Sequence, residues 1–265
     1  DDVLRWTATS ADAPTGNWLA RVQVGGATFE QALRVETVVP NRLKIELPVE
    51  GPLVGREPIL ETTLRSRWLH GAIARDLEAS IEVALRSRTT AFEGWEGFDF
   101  DDGTATLDAP EAEIFRGRLD EKGEAAIRVP IDVPEGAPGM LTALLRTRVF
   151  EPGGHASIDE VSVAVSPHAR YLGIKTPKGD AARGMLLTDT KHPVEIVAVD
   201  PLGKAGGSGT VELKLYKVEW RWWWERGSET FADYAGTTEH APVASGSVEL
   251  KNGRGTWDLE VKYPE

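Results

Sequence analysis

The sequence predicts an all-β chain made of tandem antiparallel β-sandwich domains. Three observations carry this prediction. Apolar residues alternate in short runs, turn-forming residues separate the runs at regular intervals, and part of the pattern repeats with its parity kept.

The alternation is seen in Leu43, Ile45 and Leu47, then in Ile81, Val83 and Leu85. It returns in Val161, Val163 and Val165, in Val194, Ile196 and Ala198, and in Val211, Leu213 and Leu215. Successive side chains of a strand point to opposite faces, so each run gives one apolar and one wet face. Gly, Pro, Asn and Asp interrupt the runs roughly every 8–12 residues, the spacing of a sandwich or barrel. The best helical candidate, Leu69–Leu77, is short and begins near Gly71, and a non-helical reading is preferred there.

The repeat links residues 119–135, LDEKGEAAIRVPIDVPE, with residues 249–265, ELKNGRGTWDLEVKYPE. Gly123 meets Gly253, Pro134 meets Pro264 and Glu135 meets Glu265. Ile127, Val129, Ile131 and Val133 fall in step with Trp257, Leu259, Val261 and Tyr263. Shared parity matters, because a slip of one residue would turn every core side chain outward. A second echo relates residues 14–24 to residues 137–149, with Gly16 matching Gly139. Each of these hairpins runs on to a proline, Pro40 or Pro167, and prolines make natural joints because they end a ladder. The expected organisation is residues 1–40 as the closing strands of one domain, 41–167 as a whole domain, and 168–265 as a domain lacking its closing strands.

Composition narrows the function. The chain has 265 residues, enough for about two domains of 100–150 residues. Its net charge of -12 argues against a nucleic-acid partner and against electrostatic docking on anionic lipid. The absence of cysteine excludes disulfides, thiolate zinc sites and a cysteine nucleophile. No apolar run reaches the length of a membrane span, so no direct membrane insertion is expected. The acidic Asp1 and Asp2 do not open a signal peptide, and any export signal is expected outside this sequence.

Three segments resemble the bacterial alpha-2-macroglobulin family. They are Gly16-Asn17-Trp18-Leu19-Ala20 with Val24-Gly25-Gly26, the run Leu215–Arg226 (LYKVEWRWWWER), and Gly253-Arg254-Gly255-Thr256-Trp257 closing at Tyr263-Pro264-Glu265. The tryptophan-rich run is the most specific. The resemblance implies macroglobulin-like (immunoglobulin/fibronectin-III-like) sandwiches within a large secreted or periplasmic bacterial protein. It implies a bait region cut by proteases and, in many members, a thioester in a Cys-x-Glu-Gln motif. A chain without cysteine holds no such bond, and the resemblance implies a place in the array ahead of the thioester domain. The implied role is structural scaffold of a protease inhibitor, not enzyme, with no cofactor. The implied partners are neighbouring domains of the same polypeptide and, through the full-length protein, target proteases.

The candidate contact residues are Trp220, Trp222, Trp223 and Trp224. On a strand, Trp220, Trp222 and Trp224 share one face, and Arg221 and Trp223 share the other. Core and interdomain packing is the preferred reading. A glycan-binding or adhesive array using exposed tryptophans is the alternative. His70, His155, His168, His192 and His240 show no zinc spacing and read as surface or loop residues. The run Asp99–Gly103 fails the EF-hand pattern because its first position would be Phe98. It reads as a solvated turn, and Trp95, Phe98 and Phe100 suggest a long inserted loop anchored by aromatics. Glu111 and Glu113 are paired only in sequence, and no GxSxG elbow is present. Gly206–Gly209 lacks a following Lys-Ser or Lys-Thr, so it is not a phosphate loop and reads as a hairpin connection.

Overall fold

A computed structural model describes residues 16–24, 27–35, 41–217 and 242–262. The described residues contain strands, turns and bends but no helix, so none is long and apolar enough to cross a membrane. They fall into two compact units that divide after Arg42.

The first unit contains one antiparallel hairpin, β1 (Gly16–Val24) with β2 (Ala27–Val35). Arg21 and Glu30 face each other across it and form an ion pair of 2.6 Å. Val22 lies opposite Phe29, and both are more than half exposed, at 53% and 61%.

The second unit begins with a sandwich of eight strands. One sheet joins β3 (Leu43–Glu46), β5 (Ile59–Trp68) and β8 (Glu124–Pro130), in the order β3-β5-β8. The other joins β4 (Leu53–Val54), β6 (Glu78–Ser87), β7 (Ala112–Arg118), β9 (Leu141–Phe150) and β10 (Ala156–Ser166), in the order β4-β10-β9-β6-β7. All pairings are antiparallel except the short one between β4 and β10. The alternation predicted from sequence becomes the core. Leu43, Ile45 and Leu47 meet Leu60 and Leu64 from β5, Ile81, Val83 and Leu85 from β6, and Leu141 and Leu145 from β9. Leu69–Leu77 forms turns and an isolated bridge from Ile73 to Arg67.

A smaller sandwich follows. One sheet joins β11 (Tyr171–Lys175), β12 (Lys191–Val199) and β15 (Arg254–Glu260), in the order β11-β12-β15. Facing it, β13 (Gly209–Leu215) pairs with β14 (Ala244–Leu250). Their core comprises Ile196, Ala198, Leu213, Val248 and Leu250.

The repeat is visible in the backbone. Gly123 and Gly253 open β8 and β15 at φ 76° and 75°. Gly123 accepts a hydrogen bond from the Ser66 amide on β5, and Gly253 accepts one from the Ala198 amide on β12. A Cβ on Gly123 would lie 2.6 Å from the Ser66 carbonyl oxygen, and one on Gly253 would lie 2.7 Å from that of Ala198. Positive φ and close backbone approach both demand glycine here. This register makes β5 the counterpart of β12 and β8 that of β15.

One expectation is corrected. Gly206–Gly209 does not join two paired strands. It carries the chain from β12 in one sheet to β13 in the other. A glycine-rich run between apolar strands looks the same in both cases, and sheet packing decides which one forms.

Candidate interdomain site

Among the described residues, aromatic, cation–π and hydrogen-bond contacts converge where the larger sandwich meets the smaller. Residues 88–111 leave β6, cross to the smaller sandwich and return to β7. We call this segment the strap.

Its base is tied to the larger sandwich. The Thr90 amide donates to the Asp101 carboxylate at 3.1 and 3.2 Å. Thr90 Oγ1 accepts from the Met140 amide at 2.7 Å, and the Asp102 amide donates to the Pro138 carbonyl at 2.6 Å. Gly139 leaves room for this knot, because a Cβ there would collide with Asp101 Oδ1 and Thr90 Oγ1 and displace them. Asp102 is held below the usual carboxylate range, chiefly by the Thr104 hydroxyl that donates to it. The acidic run is therefore a structural knot in which the carboxylates accept backbone and hydroxyl hydrogens. The sequence reading of a solvated turn missed this role.

The tip of the strap is aromatic and meets the outward face of the β11-β12-β15 sheet. Phe100, Tyr171, Val197 and Val199 are buried together, with Phe92, Trp95, Phe98, Met140 and Ala205 around them. Phe92 packs edge-on to Phe100 at 4.9 Å and to Tyr171 at 5.4 Å between centroids. Such pairs contribute about 0.5–1.5 kcal/mol each beyond burial. Glycine makes room for two of the rings. A Cβ on Gly173 would lie 2.4 Å from Phe100, and one on Gly203 would lie 3.0 Å from Phe92.

Polar contacts fix the orientation. Trp95 Nε1 donates to the Gly203 carbonyl at 2.8 Å. Asp99 and Ile174 exchange two backbone hydrogen bonds, each of 2.9 Å. Arg254 lies over the Trp95 ring at 4.6 Å, and Lys175 Nζ lies 5.3 Å from the Phe98 centroid. Beside the strap, the Ser166 and Tyr171 hydroxyls share a hydrogen bond of 2.7 Å. His168 packs edge-on to Tyr171, and its Nε2 is 3.0 Å from the Ala137 carbonyl oxygen. Burial raises the Tyr171 phenol above its ordinary value, against the pull of the Ser166 hydroxyl. An open groove of about 280 Å³ runs along the contact, lined by Trp95 and Phe98 of the strap and by Glu195, Arg254 and Thr256 of the smaller sandwich.

Sequence reasoning picked out Trp95, Phe98 and Phe100 but not their destination. The missed signal was in β12, where Ile196, Val197, Ala198 and Val199 are all buried. Four consecutive buried positions mark a strand covered on both faces. Trp220, Trp222, Trp223 and Trp224 lie outside the described residues. Among the described residues no cluster of three or more His, Asp or Glu is placed to hold a metal ion. His70 stacks on Trp68 at 6.0 Å between centroids, and His192 Nε2 reaches the Leu187 carbonyl at 2.8 Å.

Two sandwiches of corresponding topology, tied side by side through a strap, define a tandem β-sandwich scaffold. Residues 41–167 match the bacterial alpha-2-macroglobulin MG5 domain, and residues 173–264 match bacterial macroglobulin domain 6. The chain is 23% identical over 222 residues to the alpha-2-macroglobulins of two Xylella fastidiosa strains, Temecula1 and 9a5c. That alignment covers 80% of this chain but only 13% of either relative. The crystal structure of trypsin-activated alpha-2-macroglobulin from Escherichia coli superposes with a TM-score of 0.53 at 19% identity. It matches 95% of this chain and 17% of that one, a likeness of fold. The chain belongs to the bacterial alpha-2-macroglobulin family.

Proposed function

We propose that this chain is a scaffold segment of a bacterial protease-trapping alpha-2-macroglobulin, with no catalytic role of its own. The observation that supports the reading most is the two successive macroglobulin matches, which meet at a built interface. In this reading residues 1–40 supply the closing strands of one domain. Residues 41–167 form a whole domain, and residues 168–265 form a domain without its closing strands. The correspondence of β5 and β8 with β12 and β15 supports the last two assignments. Trp220, Trp222, Trp223 and Trp224 would contact a neighbouring domain. The parent protein would act outside the cytoplasm, in the periplasm or beyond, and meet its target proteases there.

The test compares this chain with its parent. Covalent capture through a Cys–Gln thioester is closed to a chain without cysteine. The purified chain should leave trypsin fully active on a protein substrate, and methylamine should leave its mass unchanged. Deleting residues 41–264 from the parent should abolish its protection of trypsin from a large inhibitor. Stoichiometric inhibition of trypsin by the purified chain alone would refute the scaffold reading.

A further inference from the structure

Two domains joined by one short linker move relative to each other by default, unless a substantial interface stops them. Here the linker runs from Ser166 to Tyr171, and the strap makes a second, independent connection. The strap is fixed at both ends. Thr90, Asp101 and Asp102 knot it to Met140 and Pro138 of the larger sandwich. Its tip reaches three separate places on the smaller one. Asp99 bonds Ile174 on β11, the Trp95 indole bonds Gly203 beyond β12, and Arg254 at the start of β15 covers the Trp95 ring. These three places span the whole width of the β11-β12-β15 sheet.

Each contact blocks a different motion. The paired hydrogen bonds between Asp99 and Ile174 resist sliding along β11. The Phe100 ring packs so closely on Gly173 that a Cβ there would collide with it, so twisting about the linker drives the ring into the strand. Tilting the sheet away opens the apolar layer of Phe92, Phe100, Tyr171, Val197 and Val199 to water. From this geometry we infer that residues 88–111 lock the two sandwiches at one fixed angle, so that they move as a single rigid body. The inference goes beyond the proposed function and stands whether or not the parent traps proteases.

The chain has no cysteine, so two introduced thiols can be spin-labelled without ambiguity. Glu61→Cys on β5 and Glu249→Cys on β14 place exposed labels on the two sandwiches. Pulsed electron–electron resonance on the full chain should give one narrow distance distribution. Adding Trp95→Ala with Phe98→Ala should widen it about twofold or more, as the joint reverts to ordinary interdomain freedom. The far-UV spectrum should stay that of the parent. Gly173→Ala attacks the same joint from the other side and decides the matter should the double variant fail to fold. A broad distribution in the chain carrying only the two labels would overturn the inference. So would an unchanged width in whichever variant keeps its fold.

Discussion

Strands β5 and β12 occupy the same place in their sandwiches, yet their outward faces differ. On β5 the outward Arg65 pairs with Glu124 of β8 at 2.9 Å, and both side chains are more than a third exposed. In the matching register Val197 of β12 faces Arg254 of β15, and Val197 is fully buried. The next outward position is Arg67 on β5 and Val199 on β12. The backbone plan is shared, so the covering layer decides the chemistry. Water covers the outward face of β5, and the aromatic strap covers that of β12. The inner faces differ too among the described residues: Leu64, Ile81, Leu141 and Leu145 of the larger sandwich are fully buried, while Ile196, Ala198, Leu213, Val248 and Leu250 of the smaller one are each 4–8% exposed. In the smaller sandwich the outward Val197 and Val199 add buried apolar surface that the matching Arg65 and Arg67 do not.

Exchanging outward residues tests this contrast most severely. Val197→Arg puts a charge under the strap, where an uncompensated buried ion costs about 3–5 kcal/mol. Urea unfolding should show that loss, and a change below 1 kcal/mol would mean that the strap does not seal this face. Phe100→Ala should cost about 3–5 kcal/mol, the range for deleting a buried aromatic ring. Although Phe100 belongs to the larger sandwich, hydrogen exchange should accelerate first in β11 and β12 and leave β9 protected. Leu145→Ala should cost about 2–5 kcal/mol and Leu213→Ala less, because Leu213 retains some exposure and leaves a smaller cavity. Equal costs would break the contrast between the two cores.

Tyr171→Phe removes one hydrogen bond, worth about 0.5–1.5 kcal/mol. The phenol also carries a pH signature. Its folded pKa is raised above the ordinary 10.0, so its contribution is complete below about pH 10 and is lost as pH rises through the folded value. Stability of the parent chain should fall in that alkaline window, and Tyr171→Phe should flatten the fall. The smallest effect is expected from the reciprocal exchange, Arg65→Val, which alters only a solvated pair and should stay within about 0.5 kcal/mol. A large loss there would show that the outward face of β5 is covered after all.

These contrasts also mark what the sequence could reveal. Parity placed Leu43, Ile81, Val163 and Ile196 correctly, because burial on one face writes itself into every second residue. The glycines at 123 and 253 were legible as a repeat, because only glycine tolerates that turn so close to a neighbouring carbonyl. The strap was legible only by half. Its aromatics stood out, but the partner of an aromatic on a long loop is set by tertiary packing, and periodicity carries no record of it. Gly206–Gly209 misled for a related reason, since turn chemistry specifies how a chain bends and not which strand it will pair with. The tryptophan run at 220–224 lies outside the described residues, so its reading stands as a proposal.

The bridge between Asp99 and Ile174 has a second consequence, for misassembly. Among the described residues strand β11 borders its sheet, and an edge of this kind presents backbone groups that template pairing with a foreign strand. Leu172 is exposed on this border at 53%, which would favour such pairing. Asp99 occupies this border near its end with a single residue, bonding Ile174 through both its amide and its carbonyl. An incoming strand would have to displace it before it could extend its ladder. The Asp99 bridge is thus an obstacle to edge-to-edge pairing at Ile174, one that β11 would lose if the two sandwiches were separated.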